Sequence, residues 1–324
     1  MKVFFGGPDQ PARALRDLLE AKVDAVPTGG TIDWMTYYFR DEPLAEALVR
    51  AHARGVQVRV AVEGHPRRWQ ANERVIEILA RGIHGGLRVE RRLFGASHLH
   101  TKLYAFSDPN PHALVGSFNP SGTVPEYDPE LIADIGDQDQ GHNLLVEIDE
   151  PRMVDTLVDA ARGDLLERTA RQASLEADFF PRRHDPLRNR IRRFGKASKL
   201  RIAASHFRDP TMVRELAGLV RRGGSVQVLT HHTQRRSPKK LVEGLRSAGV
   251  RTYRYDHPEH LPMHAKFVVA EDAGSRWSAF GSYNLSRTSR WLNQELLMFS
   301  DDSELWEALD ARWATILGEP WCTQ

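Results

Sequence analysis

The chain has 324 residues, with 45 Lys+Arg against 43 Asp+Glu for a formal net charge of +2, and it is 41% hydrophobic and 27% charged. At roughly 150 residues per domain this length predicts about two domains, and the balance excludes a disordered tail, a collagen-like fibre and a supercharged nucleic-acid coat. One cysteine, Cys322, excludes an internal disulfide framework and fits a reducing compartment. No run approaches the ~18 apolar residues of a membrane span. Gly6-Gly7-Pro8-Asp9 interrupts the apolar start Val3-Phe4-Phe5, so no signal peptide and a cytoplasmic protein are expected.

Taken in chain order, Thr31–Tyr38 alternates and is rich in β-formers, which predicts a strand running into Phe39-Arg40-Asp41. Leu44, Ala45, Ala47, Leu48 and Ala51 then mark one face of a helix closed by Gly55, and Val56–Val62 reads as a second buried strand. The pattern recurs. Leu200–Ala204 leads into Phe207-Arg208-Asp209, a helical period follows through Val213, Leu216, Leu219 and Val220, and Val226–Leu229 is the next strand. The two Phe-Arg-Asp triplets lie 168 residues apart, close to half the chain. Strand–helix–strand order in both halves predicts an α/β duplication with parallel, right-handed units, as two similar lobes packed face to face. Expected limits are 1–180 for the first lobe, 181–200 for a junction and 201–324 for the second lobe. Pro181–Arg201 holds nine basic residues against the one acid Asp185. It is either a solvated linker or, through 182–201, a contact for an anionic polymer or lipid surface.

A second repeated block carries the chemistry. The first half has His100-Thr101-Lys102, then Gly116-Ser117-Phe118-Asn119, then Glu130; the second has His264-Ala265-Lys266, then Gly281-Ser282-Tyr283-Asn284, then Glu295. The offsets between copies are 164 for the histidines and 165 for both the glycines and the glutamates. If His-x-Lys lies on a strand, period-two alternation puts imidazole and ammonium on one face. That pairs a group titrating near neutrality with a fixed cation. Gly-Ser-x-Asn adds a close backbone, a hydroxyl and an amide, all suited to phosphate oxygens. A glutamate can hold the other nitrogen of an imidazole and fix its tautomer. One copy is half of a phosphoryl-transfer site. Two facing copies complete it, one histidine attacking phosphorus and the other protonating the leaving oxygen. The two lysines supply the positive charge, so neither metal nor cofactor is expected.

These paired motifs resemble those of the phospholipase D superfamily, whose signature is a duplicated His-x-Lys with a downstream Gly-Ser-x-Asn. The resemblance implies two phospholipase D-like α/β/α lobes packed about a pseudo-twofold axis, with one shared active site between them. It also implies a covalent phosphohistidine. His100 and His264 would be nucleophile and general acid, the first-half histidine being the more usual nucleophile. Lys102, Lys266, Asn119 and Asn284 would bind phosphate, supported by Ser117 and Ser282, while Glu130 and Glu295 would orient the imidazoles. The sequence departs from the superfamily where an aspartate often follows the lysine by five residues: Ser107 and Glu271 stand there. The tract Pro125–Asp128 and the loop Gly136–Asn143 have no role assigned from sequence.

Other residues have two readings each. Arg40 and Arg208 either flank the substrate mouth or sit beside helix-starting aspartates. Trp291 either shapes that mouth or packs in the core. His98 and His231-His232 lack the cysteine or carboxylate spacing that would make a metal site. The expected substrate is a phosphodiester, with a phospholipid headgroup or other small phosphodiester preferred and nucleic acid the alternative. Asn284–Glu295 looks like the corresponding block of bacterial cardiolipin synthases, which favours a lipid headgroup, with hydrolysis or transfer to an alcohol both open. The basic junction favours a nuclease or end-processing enzyme, and a phosphate-binding module without activity is the third reading. A single chain carries both half-sites, so a monomer suffices.

Overall fold

The computed structural model describes residues 1–68, 70–90, 97–121, 140–196 and 198–324. The first lobe runs β1 (Lys2–Gly6), α1 (Ala14–Ala25), β2 (Thr31–Thr36), α2 (Glu42–Ala53), β3 (Gln57–Glu63), α3 (Gln70–Gly82), β4 (Leu87–Glu90), β5 (Leu103–Phe106), β6 (His112–Gly116), β7 (Asn143–Ile148) and α4 (Pro151–Arg162). The second runs β8 (Thr169–Gln172), β9 (Leu175–Phe180), α5 (Pro186–Arg192), β10 (Lys199–Ala204), α6 (Pro210–Arg221), β11 (Ser225–His231), α7 (Lys239–Ser247), β12 (Arg251–Tyr255), β13 (Lys266–Asp272), β14 (Ser275–Gly281), α8 (Arg287–Trp291), β15 (Glu295–Ser300), α9 (Ser303–Gly318) and β16 (Cys322–Thr323).

Each lobe builds one mixed sheet. The first has the order β1-β7-β6-β5-β2-β3-β4, and the second repeats it as β9-β15-β14-β13-β10-β11-β12, with β8 and β16 added at its edges. The predicted parallel pairing holds for β2 with β3 and for β10 with β11, in register Ile32↔Val58 and Ile202↔Val228. Beyond these, β5–β7 and β13–β15 are antiparallel.

The lobe boundary falls earlier than the expected residue 180. Leu175–Phe180 pairs with β15 of the second sheet, Phe180 opposite Glu295, as Lys2–Gly6 pairs with β7 in the first. The expected basic junction is likewise an element of the second lobe. Leu187 and Ile191 of α5 are buried against the sheet. Among the described residues, five of its nine basic residues are ion-paired (Arg182–Asp178, Arg190–Glu176, Arg192–Glu215, Lys199–Glu271, Arg201–Asp310), which spends much of the charge a polyanion would meet.

Helices α1 to α3 cover the outer face of the first sheet, and α5 to α7 that of the second. Between the sheets, α4 and α9 bury Met153, Leu157, Leu309 and Trp313 in a core that draws on both lobes. Both Phe-Arg-Asp triplets do the same structural work. Asp41 and Asp209 cap α2 and α6, accepting from Leu44 N and Thr211 N, with a proline in each first turn. The backbone N–H groups of Arg40 and Asp41 converge on Pro120 O, and those of Arg208 and Asp209 on Leu285 O. Each triplet therefore ties a helix start to the residue just after the asparagine of its own Gly-Ser-x-Asn.

Candidate active site

The two histidines lie just before strands rather than on them, since β5 begins at Leu103 and β13 at Lys266. The reason is that their backbones pair across the lobes. Leu99 bridges to Gln294 and Met263 to His142. His100 N donates to Gln294 O at 2.8 Å, and His264 N to His142 O at 3.0 Å. Each lysine ammonium then turns back to its own histidine carbonyl, Lys102 Nζ to His100 O and Lys266 Nζ to His264 O, both at 2.6 Å.

The same crossing sets the imidazoles. His100 Nδ1 lies 2.8 Å from Glu295 Oε2, and Glu295 belongs to the other lobe. That oxygen also accepts from Ser282 Oγ at 2.7 Å, and Asn293 Nδ2 donates to Oε1 at 3.3 Å. On the opposite side His264 Nδ1 lies 2.9 Å from Asn143 Oδ1, which accepts from Ser117 Oγ at 2.9 Å. The Ser117 and Ser282 oxygens accept in turn from Leu144 N and Leu296 N. The two half-sites match except that one presents a carboxylate and the other an amide.

This geometry revises three expectations. Glu130 lies outside the described residues, and the group facing His264 Nδ1 is Asn143. The equal glutamate offsets misled because the serine-to-partner separation is 26 residues in the first lobe and 13 in the second. Ser117 and Ser282 are buried behind the histidines and spend their hydroxyls on Asn143 and Glu295, so they support the imidazoles rather than face a phosphate. Of the suggested mouth residues, Arg208 lines the cleft. Arg40 is buried at the start of α2 and Trp291 stands outside, 45% exposed with the Arg290 guanidinium over its ring; neither lines the cleft.

The cleft, about 710 Å³, is bounded by His100, His264, Asn119 and Asn284 at its base. Tyr37, Tyr38, His65, Arg67 and His98 line it from the first lobe. His206, Arg208, Arg235, Arg236 and Arg287 line it from the second. Among the described lining residues none is acidic and scarcely any is aliphatic. Asn119 Oδ1 accepts from Tyr38 N at 3.3 Å, while among the described residues Asn284 Oδ1 has no partner. Asn72 of α3 fixes the first wall, accepting from Phe39 N and donating to Tyr37 O and Glu63 O. Glu63 accepts from Leu99 N at 2.6 Å and steadies the segment that leads to His100.

Electrostatically the site is short of negative charge. Burial, with Lys102 and Lys266 nearby, pushes His100 down to about 4 although Glu295 acts to raise it. His264 is lowered well below the usual range by burial, then by Lys266 and Arg236. Burial brings Lys102 down to about 7 against the pull of Glu295, and burial with the neighbouring Lys102 depresses Lys266 strongly. Glu295 stays below the ordinary carboxylate range despite its burial, because His100 and Lys102 outweigh that cost. A bound phosphate would favour the charged form of all four groups, both histidines and both lysines.

Behind His142, Asp9, His142 and Glu319 bring three potential ligand atoms within 4.8 Å. Arg312 already fills the need for a cation there, donating to Asp9 at 2.6 Å, to Gly6 O at 2.8 Å and meeting His142 Nδ1 at 2.8 Å. The cluster is an ionic clamp between the two chain ends.

Several of these residues escaped sequence reasoning though a signal existed. Tyr38 and His206 each precede the repeated Phe-Arg-Asp, and Arg67-Arg68 recurs as Arg235-Arg236 with the same spacing of 168.

The family model described as "Cardiolipin synthase, PLD-like domain" matches residues 27–150 and 191–316. The fold is similar to that of polyphosphate kinase from Porphyromonas gingivalis, with TM-score 0.69 and 16% identity over 98% of this chain; the match spans about half, 51%, of the kinase. It is similar also to phosphatidylserine synthase from Haemophilus influenzae Rd KW20, with TM-score 0.69 and 12% identity over 99% of this chain and 87% of that one. A yeast tyrosyl-DNA phosphodiesterase mutant aligns with TM-score 0.50 and 12% identity over 92% and 88%. At these identities the likeness is one of fold. No curated protein matches the sequence.

Proposed function

Because this chain belongs to the phospholipase D superfamily, with both halves matching the PLD-like domain of cardiolipin synthase, we propose that it is a metal-independent phosphodiesterase working through a phosphohistidine on His100. The observation that carries the reading is the unequal pair of orienting groups: Glu295 on His100 and Asn143 on His264.

A carboxylate on Nδ1 leaves Nε2 of His100 as the free lone pair and stabilises the positive charge that grows as the N–P bond forms. An amide oxygen fixes the tautomer of His264 but cannot neutralise its imidazolium, which makes that imidazolium the stronger acid. His100 Nε2 therefore attacks phosphorus, the P–O bond to the leaving alcohol breaks, and the proton of His264 Nε2 passes to the departing oxygen. Water, its proton taken by His264, then attacks phosphorus and releases His100. An alcohol in place of water would give transfer. Lys102, Lys266, Asn119 and Asn284 stabilise the non-bridging oxygens. A divalent cation would need oxygen ligands, and the described cleft lining offers no carboxylate for it.

The substrate best supported is a nucleic-acid phosphodiester, since the lining is cationic and aromatic and gives an acyl chain little to bury against. The second reading, a phospholipid headgroup, is favoured by the cardiolipin synthase description of the matching family. The test is incubation in excess EDTA with single- and double-stranded DNA and RNA and with mixed phospholipid vesicles, followed by acid-labile phosphate trapping. Oligonucleotide shortening with label on His100 supports the proposal. Headgroup release alone moves the substrate to lipid, and abolition by EDTA or label on His264 overturns the mechanism.

A further inference from the structure

The two walls of the cleft are unlike, although the fold that builds them is repeated. At repeat-equivalent positions the first lobe presents Tyr37 and Tyr38 where the second has Ser205 and His206. Among the described residues, the first wall carries one arginine, Arg67, and the second carries four, Arg208, Arg235, Arg236 and Arg287. Arg235 and Arg236 leave the end of β11 and Arg287 opens α8, so these cations converge from three connections of the same lobe. Among the described residues neither Arg208 nor Arg287 is held in a salt bridge. One of these arginines is also among the leading charges on one histidine only. Arg236 is among the charges acting on His264, whereas those acting most on His100 are Glu295, Lys102 and Lys266.

We infer that the cleft is directional: the leaving fragment is an alcohol bearing further phosphates, held by Arg208, Arg235, Arg236 and Arg287, while the fragment kept on His100 lies along the tyrosine wall and needs no second charge. This rests on the proposed roles of His100 and His264. In-line displacement puts the attacking nitrogen and the departing oxygen on opposite sides of phosphorus, so the alcohol that His264 protonates leaves toward the arginines. Their charge holds the neighbouring phosphates of that fragment before cleavage and stabilises the alcoholate as it forms. The chemical class is a phosphate-repeating chain such as a single-stranded oligonucleotide. A diester carrying one charge in all would offer no second phosphate to Arg208 and Arg287, neither of which is in a salt bridge among the described residues.

The experiment uses short single-stranded oligonucleotides with one cleavable phosphodiester. On one side the linkages are charged, nuclease-resistant phosphorothioates; on the other they are neutral methylphosphonates. The product that ends in phosphate identifies the fragment kept on His100. Charge on the leaving side alone should preserve kcat/KM within a few-fold of the fully charged substrate. Charge on the retained side alone should lower it by about 30-fold, the scale of one or two lost charge-assisted contacts. Arg235→Gln combined with Arg287→Gln should remove most of that difference, with the fold checked by thermal melting. Equal cleavage of the two substrates, or preference for retained-side charge, overturns the inference. So does turnover of bis(p-nitrophenyl) phosphate or of phospholipid vesicles, with phosphate trapped on His100, when no oligonucleotide is cut. That last result would leave the proposed reaction standing, whereas trapping on His264 would remove its premise.

Discussion

Glu295, the first residue of β15, holds the Nδ1 of His100 from the other lobe at 2.8 Å, while His264 meets only the amide oxygen of Asn143 at 2.9 Å. On the proposed roles, the two copies thus differ at the pair of positions that would separate the nucleophile from the acid.

Glu295→Gln keeps the side-chain shape and removes the charge that stabilises the growing imidazolium. The rate of phosphohistidine formation should fall by roughly 10²–10⁴-fold, the range associated with losing an orienting carboxylate. His100→Ala should abolish the trapped intermediate altogether. Rapid-quench single-turnover measurements read both effects, and unchanged burst kinetics in Glu295→Gln would contradict the assignment.

The pH profile follows from the depressed histidines. His100 must be unprotonated to attack, and at about 4 it is so over nearly the whole working range. His264 must be protonated to act as acid, and burial with Lys266 and Arg236 lowers its pKa. The kcat/KM of the free enzyme should therefore be greatest on the acid side and decline as pH rises, with an alkaline limb below 6.5. Asn143→Asp, by placing a carboxylate on His264, should move that limb upward by about one unit. A limb that stays in place would show that His264 does not supply the proton.

Lys102 and Lys266 are both buried, Lys266 also beside the charge of Lys102, and their depressed pKa values mark a stability cost. The unfolded chain binds more protons than the folded one between the unfolded lysine value and the lowered folded value, so stability rises with pH across that window. Lys266→Met should raise the midpoint of thermal unfolding at pH 7 by a few degrees, on the order of 1–3 kcal/mol, while suppressing turnover. The gain should shrink above about pH 10, where the lysine is neutral in both states. A lower midpoint at pH 7 would mean that its bond to the His264 carbonyl outweighs desolvation.

Arg312→Met would leave the buried His142 ring and the exposed carboxylate of Asp9 without their shared donor. The penalty falls mainly on the buried end, about 1–3 kcal/mol for a polar group left without its partner. Chemical denaturation should show a loss of that order, and activity should fall with it, because the His142 carbonyl holds His264 N. A loss under about 1 kcal/mol would show that the clamp is solvent-screened.

The duplicated strand order and the two His-x-Lys and Gly-Ser-x-Asn blocks were legible because repetition gives each residue a second occurrence to be checked against. The orienting group of His264 was not, because the serine-to-partner connection is twice as long in the first lobe and Glu130 stood at the tempting offset. The His-x-Lys histidines were read as strand residues, whereas their hydrogen bonds run to Gln294 and His142 of the opposite lobe, a pairing that no local pattern encodes. Arg235 and Arg236 were overlooked because they sit in a connection without periodicity, although their spacing from Arg67 and Arg68 equals that of the Phe-Arg-Asp triplets.

The paired bridges Leu99↔Gln294 and Met263↔His142 bear on the order in which the protein comes into being. A ribosome that has released the first sheet has made His100 without its carboxylate and without the backbone acceptor of its N–H. Both arrive with Gln294 and Glu295, the latter 195 residues further along the chain than His100. Until those residues have been made, the imidazole of His100 lacks both contacts that orient it.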